Sequence, residues 1–138
     1  MKVIGIEIKS TEAILVVLEK DTKGDIKQTT ESTKFGINES ENNIQVRQFM
    51  QQVKASLDNI NADVIGLIAR NGKAKGTMMP SPYSFKLEGI FQLYEKNEIR
   101  FIWPQTVSAF LKKNNCIVEV EKKYQTNAFN LAYYLLNI

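Results

Sequence analysis

Two apolar runs open the chain, Val3–Ile8 and Ala13–Leu18, joined by the polar connection Lys9–Glu12. That pattern predicts a β-hairpin over Met1–Lys20. Side chains alternate along a strand, so Val3, Gly5 and Glu7 share one face and Ile4, Ile6 and Ile8 the other. Asp21–Asp25 reads as a turn, with Gly24 supplying a permissive backbone. Ile26–Ile37 is polar and rich in threonine, which predicts a third strand at the sheet edge. Asn38–Asn43 is a solvated loop that offers N-cap residues. From there Val46, Phe49, Met50, Val53, Leu57 and Ile60 recur at three- and four-residue spacing, the mark of an amphipathic helix packing on a sheet.

Ala62–Ala69 is a continuous apolar run, which suits a strand buried on both faces and paired in parallel. A basic, glycine-bearing loop follows, Arg70–Gly76, and loop continues through Thr77–Pro82. Ser81-Pro82 predicts a helix start, with serine as cap and proline in the first turn. Its apolar stripe is Leu87, Ile90, Phe91 and Tyr94. Ile99–Trp103 is a further short strand. Pro104 opens a helix with Val107, Phe110 and Leu111 inward, ending on Lys112-Lys113-Asn114. Cys116–Glu121 reads as either a short strand or a loop. Tyr124–Asn137 is the last helix, apolar almost all round except for one polar row, Asn127, Asn130, Tyr134 and Asn137. The order β-β-β-α-β-α-β-α-α predicts an α/β fold in one domain, residues 1–138. Three antiparallel strands are followed by parallel ones in a mixed sheet, with helices on both faces.

Composition narrows the chemistry. The chain has no histidine and one cysteine, Cys116, among 138 residues. This removes histidine-based triads and imidazole zinc ligands, and excludes an intramolecular disulfide. No apolar run approaches the roughly 20 residues of a membrane span. Met1-Lys2 enters a strand pattern without a signal-peptide layout, so a cytoplasmic protein without a membrane partner is expected. A net charge of +3 permits a polyanionic partner without arguing for one.

Five stretches carry a resemblance: VIGIEIKSTEAILVVL, ADVIGLIAR, SFKLEGIFQL, WPQTVSAFLKKN and QTNAFNLAYYLLN. They resemble an uncharacterised bacterial family of RuvC-like type, domain of unknown function 3010. The element order is likewise that of the ribonuclease H-like fold. Its most specific segments are Ser84-Phe85-Lys86-Leu87-Glu88, Ala128-Phe129 and Ala132-Tyr133. Enzymes of this fold cleave nucleic acid with two divalent metals held by about four carboxylates, since two ions about 4 Å apart repel unless acids lie between them. The resemblance places those acids on the first strand, at the end of the fourth strand and on the last helix. Here the first place holds Glu7, the second reads Ala69-Arg70-Asn71, and the third offers Thr126, Asn127 and Asn130. One carboxylate remains, so the resemblance implies a non-catalytic module with no cofactor. Mg²⁺ or Mn²⁺ belongs to the alternative reading, a divergent nuclease with Glu7 as a metal ligand.

Each candidate residue admits a functional and an ordinary reading. Glu7 is a surviving metal or substrate ligand, or a carboxylate paired with a nearby Lys or Arg or solvated at the strand end beside Lys9; if it is buried, the Asn127/Asn130 row is the expected hydrogen-bond partner. Arg70, Lys73 and Lys75 contact phosphate from the loop, or form a solvated basic loop. Lys86 meets a phosphate, or is a first-turn charge. Asn127 and Asn130 face a ligand cleft, or form the helix's one wet face. Cys116 has no identifiable base. The aromatic residues fall on core stripes, which leaves no base-stacking platform. The partners in view are nucleic acid or nucleotide and, as an alternative, a second copy or another protein pairing through edge strand 26–37.

Overall fold

A computed structural model describes residues 1–73, 79–116 and 118–138. Its organising element is β1 (Lys2–Lys9), which pairs on both sides. The antiparallel neighbour is β2 (Glu12–Lys20), in register Gly5↔Val16 and Glu7↔Ile14. The parallel neighbour is β5 (Val64–Ile68), in register Gly5↔Gly66, and β6 (Ile99–Ile102) continues in parallel beyond it. Helices α1 (Asn43–Ile60) and α2 (Pro82–Gln92) join the parallel strands. Helices α3 (Pro104–Lys113) and α4 (Thr126–Leu136) follow. Among the described residues, no helix is long and apolar enough to cross a membrane.

Alternation along β1 divides the core. Ile4, Ile6 and Ile8 pack with Phe49, Val53, Leu57, Leu87 and Phe91 from α1 and α2. Val3 packs with Val16, Leu18, Val107 and the apolar residues of α4. On that second face a Cβ at Gly5 would meet the Ala128 carbonyl and the Ala132 amide, so α4 lies directly on the strand. Only a residue without a side chain permits that approach. Leu135 covers Gly66 in the same way. Ala128, Leu131, Ala132 and Leu135 are all fully buried.

The expected third strand, Ile26–Ile37, is two strands. β3 (Ile26–Gln28) and β4 (Thr33–Gly36) both pair with β2. Between them the Thr29 amide donates to the Val17 carbonyl, and the Ser32 hydroxyl accepts from the Val17 amide. A side-chain oxygen thus replaces a ladder carbonyl, which ends one strand and starts the next. The edge once expected as a pairing surface is therefore three and four residues long, the short form that resists edge-to-edge pairing.

Other expectations change at element ends. Asn42 caps α1 by accepting from the amides of Ile44 and Gln45, at 3.0 and 3.2 Å. Met50 is exposed rather than part of the α1 stripe. Pro82 opens α2, but the Ser81 hydroxyl makes no capping bond; its carbonyl accepts from Ser84 instead. Residues 116 and 118–121 form no strand. A 3₁₀ turn, Lys123–Gln125, precedes α4, so the last helix begins two residues later than the pattern predicts.

Candidate functional site

The carboxyl ends of β1 and β5, the segment after β6 and the N-terminal turns of α3 and α4 surround a cleft of about 540 Å³. Ligand sites gather at this end of parallel strands because loops and helix N-termini converge there. Glu7 lines it from β1, Arg70 and Asn71 from the end of β5, Trp103, Gln105 and Ser108 from the start of α3, and Asn127 and Asn130 from α4.

Glu7 sits on the face of β1 that meets α4, two residues beyond Gly5. The seating of Ala128 and Ala132 on Gly5 carries the start of α4 over Glu7. There the Asn127 side-chain amide donates to a Glu7 carboxylate oxygen at 2.8 Å. The N-terminal end of a helix dipole also favours a carboxylate. Glu7 is half-buried and its other oxygen has no protein donor among the described residues. Asn130, one turn further on, is half-buried and lines the same cleft.

Arg70 is an anchored cation, not part of a solvated loop. Its Nε and Nη2 donate to one oxygen of Glu88, and its Nη1 donates to the Ser84 hydroxyl at 2.6 Å. The guanidinium also lies over the Phe85 ring, 4.6 Å from its centre, a favourable cation–π contact. The side chains of Arg70 and Glu88 are 14% and 12% exposed, so the pair is largely desolvated. The Ser84–Glu88 segment on α2 is thus the receptor for Arg70. The available signal was a serine and a glutamate four apart on the otherwise apolar face of α2, where Ser84 is fully buried and Glu88 nearly so.

The remaining sequence candidates lie elsewhere. The Lys73 amide donates to the Asn71 side chain at 2.9 Å, and the exposed lysine side chain is not among the groups lining the cleft. Lys75 lies outside the described residues. Lys86 is exposed and donates to the Ser40 carbonyl at 2.7 Å, tying α2 to the loop before α1 rather than facing the cleft. Trp103 corrects the expectation that aromatic residues are all core: it is 51% exposed at the cleft. As the residue before Pro104 it is held extended, with φ −70° and ψ 141°. Its side chain therefore falls outside the apolar stripe of α3.

The donor set does not fit a pair of divalent ions. Glu7 is the only carboxylate among the described residues lining the cleft. No group of three or more His, Cys, Asp or Glu among the described residues could hold a metal. Amides can ligate Mg²⁺, but they add no charge to offset ion–ion repulsion. What the arrangement offers is one hydrogen-bonded carboxylate, several amides, one anchored guanidinium and one exposed indole.

The fold is shared with solved structures of low sequence identity. Thermus thermophilus RuvC, determined in complex with a Holliday junction substrate, superposes with a TM-score of 0.73 at 12% identity, covering 99% of this chain and 97% of that one. The fowlpox virus resolvase, determined in complex with Holliday junction DNA, gives 0.55 at 16% identity, covering 99% and 97%. The yeast mitochondrial Holliday junction resolvase gives 0.55 at 10% identity, covering 82% and 55%. The likeness establishes a RuvC-like, ribonuclease H-like fold. No curated protein matches the sequence. The family described as protein of unknown function (DUF3010) matches residues 1–135, and the chain belongs to that family.

Proposed function

We propose that the protein is a non-catalytic ribonuclease H-like module that binds nucleic acid in the cleft over β1 and β5. The observation that carries this reading is the state of Glu7. It is the one acid among the described residues lining the cleft, and its nearest partner is the amide of Asn127 rather than a second acid. Two further points support it. The cleft lies at the carboxyl ends of parallel strands in a fold shared with proteins solved bound to Holliday junction DNA. At its edge Arg70 presents a fixed guanidinium, two of whose five N–H groups remain free of the named bonds. A planar, pre-oriented guanidinium suits phosphate.

The test is binding and cleavage measured on the same labelled strands. Anisotropy at low salt should show binding that weakens as salt rises, since each phosphate contact releases counterions. With few free cations among the described residues at the cleft, the logarithmic slope should be shallow, about −1 to −3. With Mg²⁺ or Mn²⁺ the strands should stay intact. Absence of binding at low salt refutes the reading. Metal-dependent cleavage that disappears in Glu7→Gln refutes its non-catalytic part.

A further inference from the structure

We infer that the cleft receives an unpaired nucleobase, stacked on Trp103 and read along its hydrogen-bonding edge by Glu7. This deepens the nucleic-acid reading above and rests on it. An indole exposed to 51% on the rim of a 540 Å³ cleft has apolar surface that the described residues do not cover. Among apolar residues such as Ile68 and Leu111, the cleft also carries the hydrogen-bonding side chains of Glu7, Asn71, Gln105, Asn127 and Asn130. An aromatic face beside amides and a carboxylate is the chemistry that binds a flat heterocycle with polar edges. The volume lies within the usual range of small-molecule sites. A base paired in a duplex offers neither a free face nor its Watson–Crick edge, so the ligand is single-stranded.

Glu7 sets the choice of base. An ionised carboxylate only accepts hydrogen bonds. Asn127 fixes one Glu7 oxygen, leaving the other to take a donor from the ligand. Guanine presents two adjacent donors, the ring N1–H and the exocyclic amine. Thymine and uracil present one N–H between two carbonyls, which repel a carboxylate. The cleft therefore favours guanine over thymine.

A second concavity gives the strand a path. It runs along α3, shares Pro104, Gln105 and Ser108 with the cleft, and ends at Lys112 and Lys113. Gln105, Ser108 and Lys112 fall on one helix face, and Lys112 lies about 10 Å along the axis from Gln105. The lysines thus meet backbone phosphates beyond the stacked base.

Trp103 is the only tryptophan of the chain, so its emission reports this site alone. The probes are thymidine strands of about ten nucleotides, with or without a central guanine, matching the site size of comparable single-strand binders. The guanine-bearing strand should quench the emission and bind about fivefold or more tightly than all-thymidine, the least that one well-made base contact gives. Glu7→Gln should erase the preference while quenching persists. Lys112→Ala with Lys113→Ala should weaken binding and flatten its salt dependence without changing the final quench. By anisotropy of a labelled strand, Trp103→Ala should lose about tenfold in affinity, and Trp103→Phe should retain most of it. Binding seen by anisotropy with unchanged emission, and undiminished in Trp103→Ala, overturns this inference and leaves the nucleic-acid reading standing. Equal affinity for the two strands overturns the role of Glu7. No binding of either strand, or of duplex, at low salt overturns the nucleic-acid reading itself.

Discussion

Replacing Gly5 with alanine tests the contact that places Asn127 over Glu7. A methyl group at Gly5 would stand 2.1 Å from the Ala128 carbonyl oxygen and 2.8 Å from the Ala132 amide nitrogen. Ordinary contact begins at 3.4 Å, so about 1.3 Å of overlap must be relieved. Both opposing atoms are helix backbone, and no rotamer change can move them. α4 must lift, and with it Ala128, Leu131, Ala132 and Leu135, none of which is exposed. Overpacking against a rigid element costs about 3 kcal/mol. Restricting the unfolded chain returns about 0.4–1 kcal/mol, so the net loss is about 2–3 kcal/mol. Urea denaturation should show the midpoint falling by about 1 M or more, with the slope unchanged. Gly66→Ala is the internal control. There the nearest atom is Leu135 Cδ1 at 2.7 Å, the tip of a side chain that can rotate away. Its cost should be about 1 kcal/mol or less. Equal shifts for the two variants, or a neutral Gly5→Ala, would show that α4 does not rest on β1 as described.

Four other outcomes follow from the same structure. Arg70→Met strands a largely buried Glu88 carboxylate and should cost about 2–4 kcal/mol at neutral pH; Arg70→Met with Glu88→Leu should recover part of this in a double-mutant cycle read by chemical denaturation. Asp58 is held at a pKa of about 2 by bonds from Lys96 and Tyr94, so its contribution is present above about pH 4 and lost as pH falls towards 2; Asp58→Asn should flatten that acid limb. Burial, and then the bond to Asp58, push Tyr94 up to about 12 from 10.0. Between those values the unfolded chain has lost a proton that the folded chain keeps, so stability declines as pH rises from 10 to 12; absorbance titration at high pH should lose this transition in Tyr94→Phe. Asn42→Ala removes two capping bonds and should cost about 1 kcal/mol, with Asn42→Asp near neutral.

Period-two alternation in Val3–Ile8 correctly assigned the two faces of β1, because burial on both sides leaves little freedom in register. The unbroken Ala62–Ala69 run likewise marked a strand flanked on both sides. The same reasoning failed where a single atom decides. The Ser32 hydroxyl splits the edge strand, and no periodicity encodes which oxygen will answer the Val17 amide. At the site, Glu7 and the Asn127/Asn130 row are visible as polar residues on apolar elements, and the fold brings Asn127 of that row to Glu7 across 120 residues. Arg70 read as one of a group of loop cations because the sequence shows charge but not desolvation; its partners lie 14 and 18 residues away on another element. The sequence pattern places Trp103 among aromatic residues on core stripes. Its exposure depends on the extended backbone that Pro104 imposes, a local effect that outweighs hydrophobicity.

The division of the core by the sheet means that the two charges of the cleft have separate guardians. Glu7 is positioned by α4, which rests on the face shared with Val3, Val16 and Leu18. Arg70 is positioned by α2, whose Leu87 and Phe91 belong to the opposite core with Phe49. The strands between them keep packing errors on one side from reaching the other, since distant sites without shared partners act independently. Drift in the α1–α2 core can loosen the cation while the carboxylate stays in place, and drift under α4 can do the reverse. The acid and the base of this cleft are therefore free to evolve one at a time.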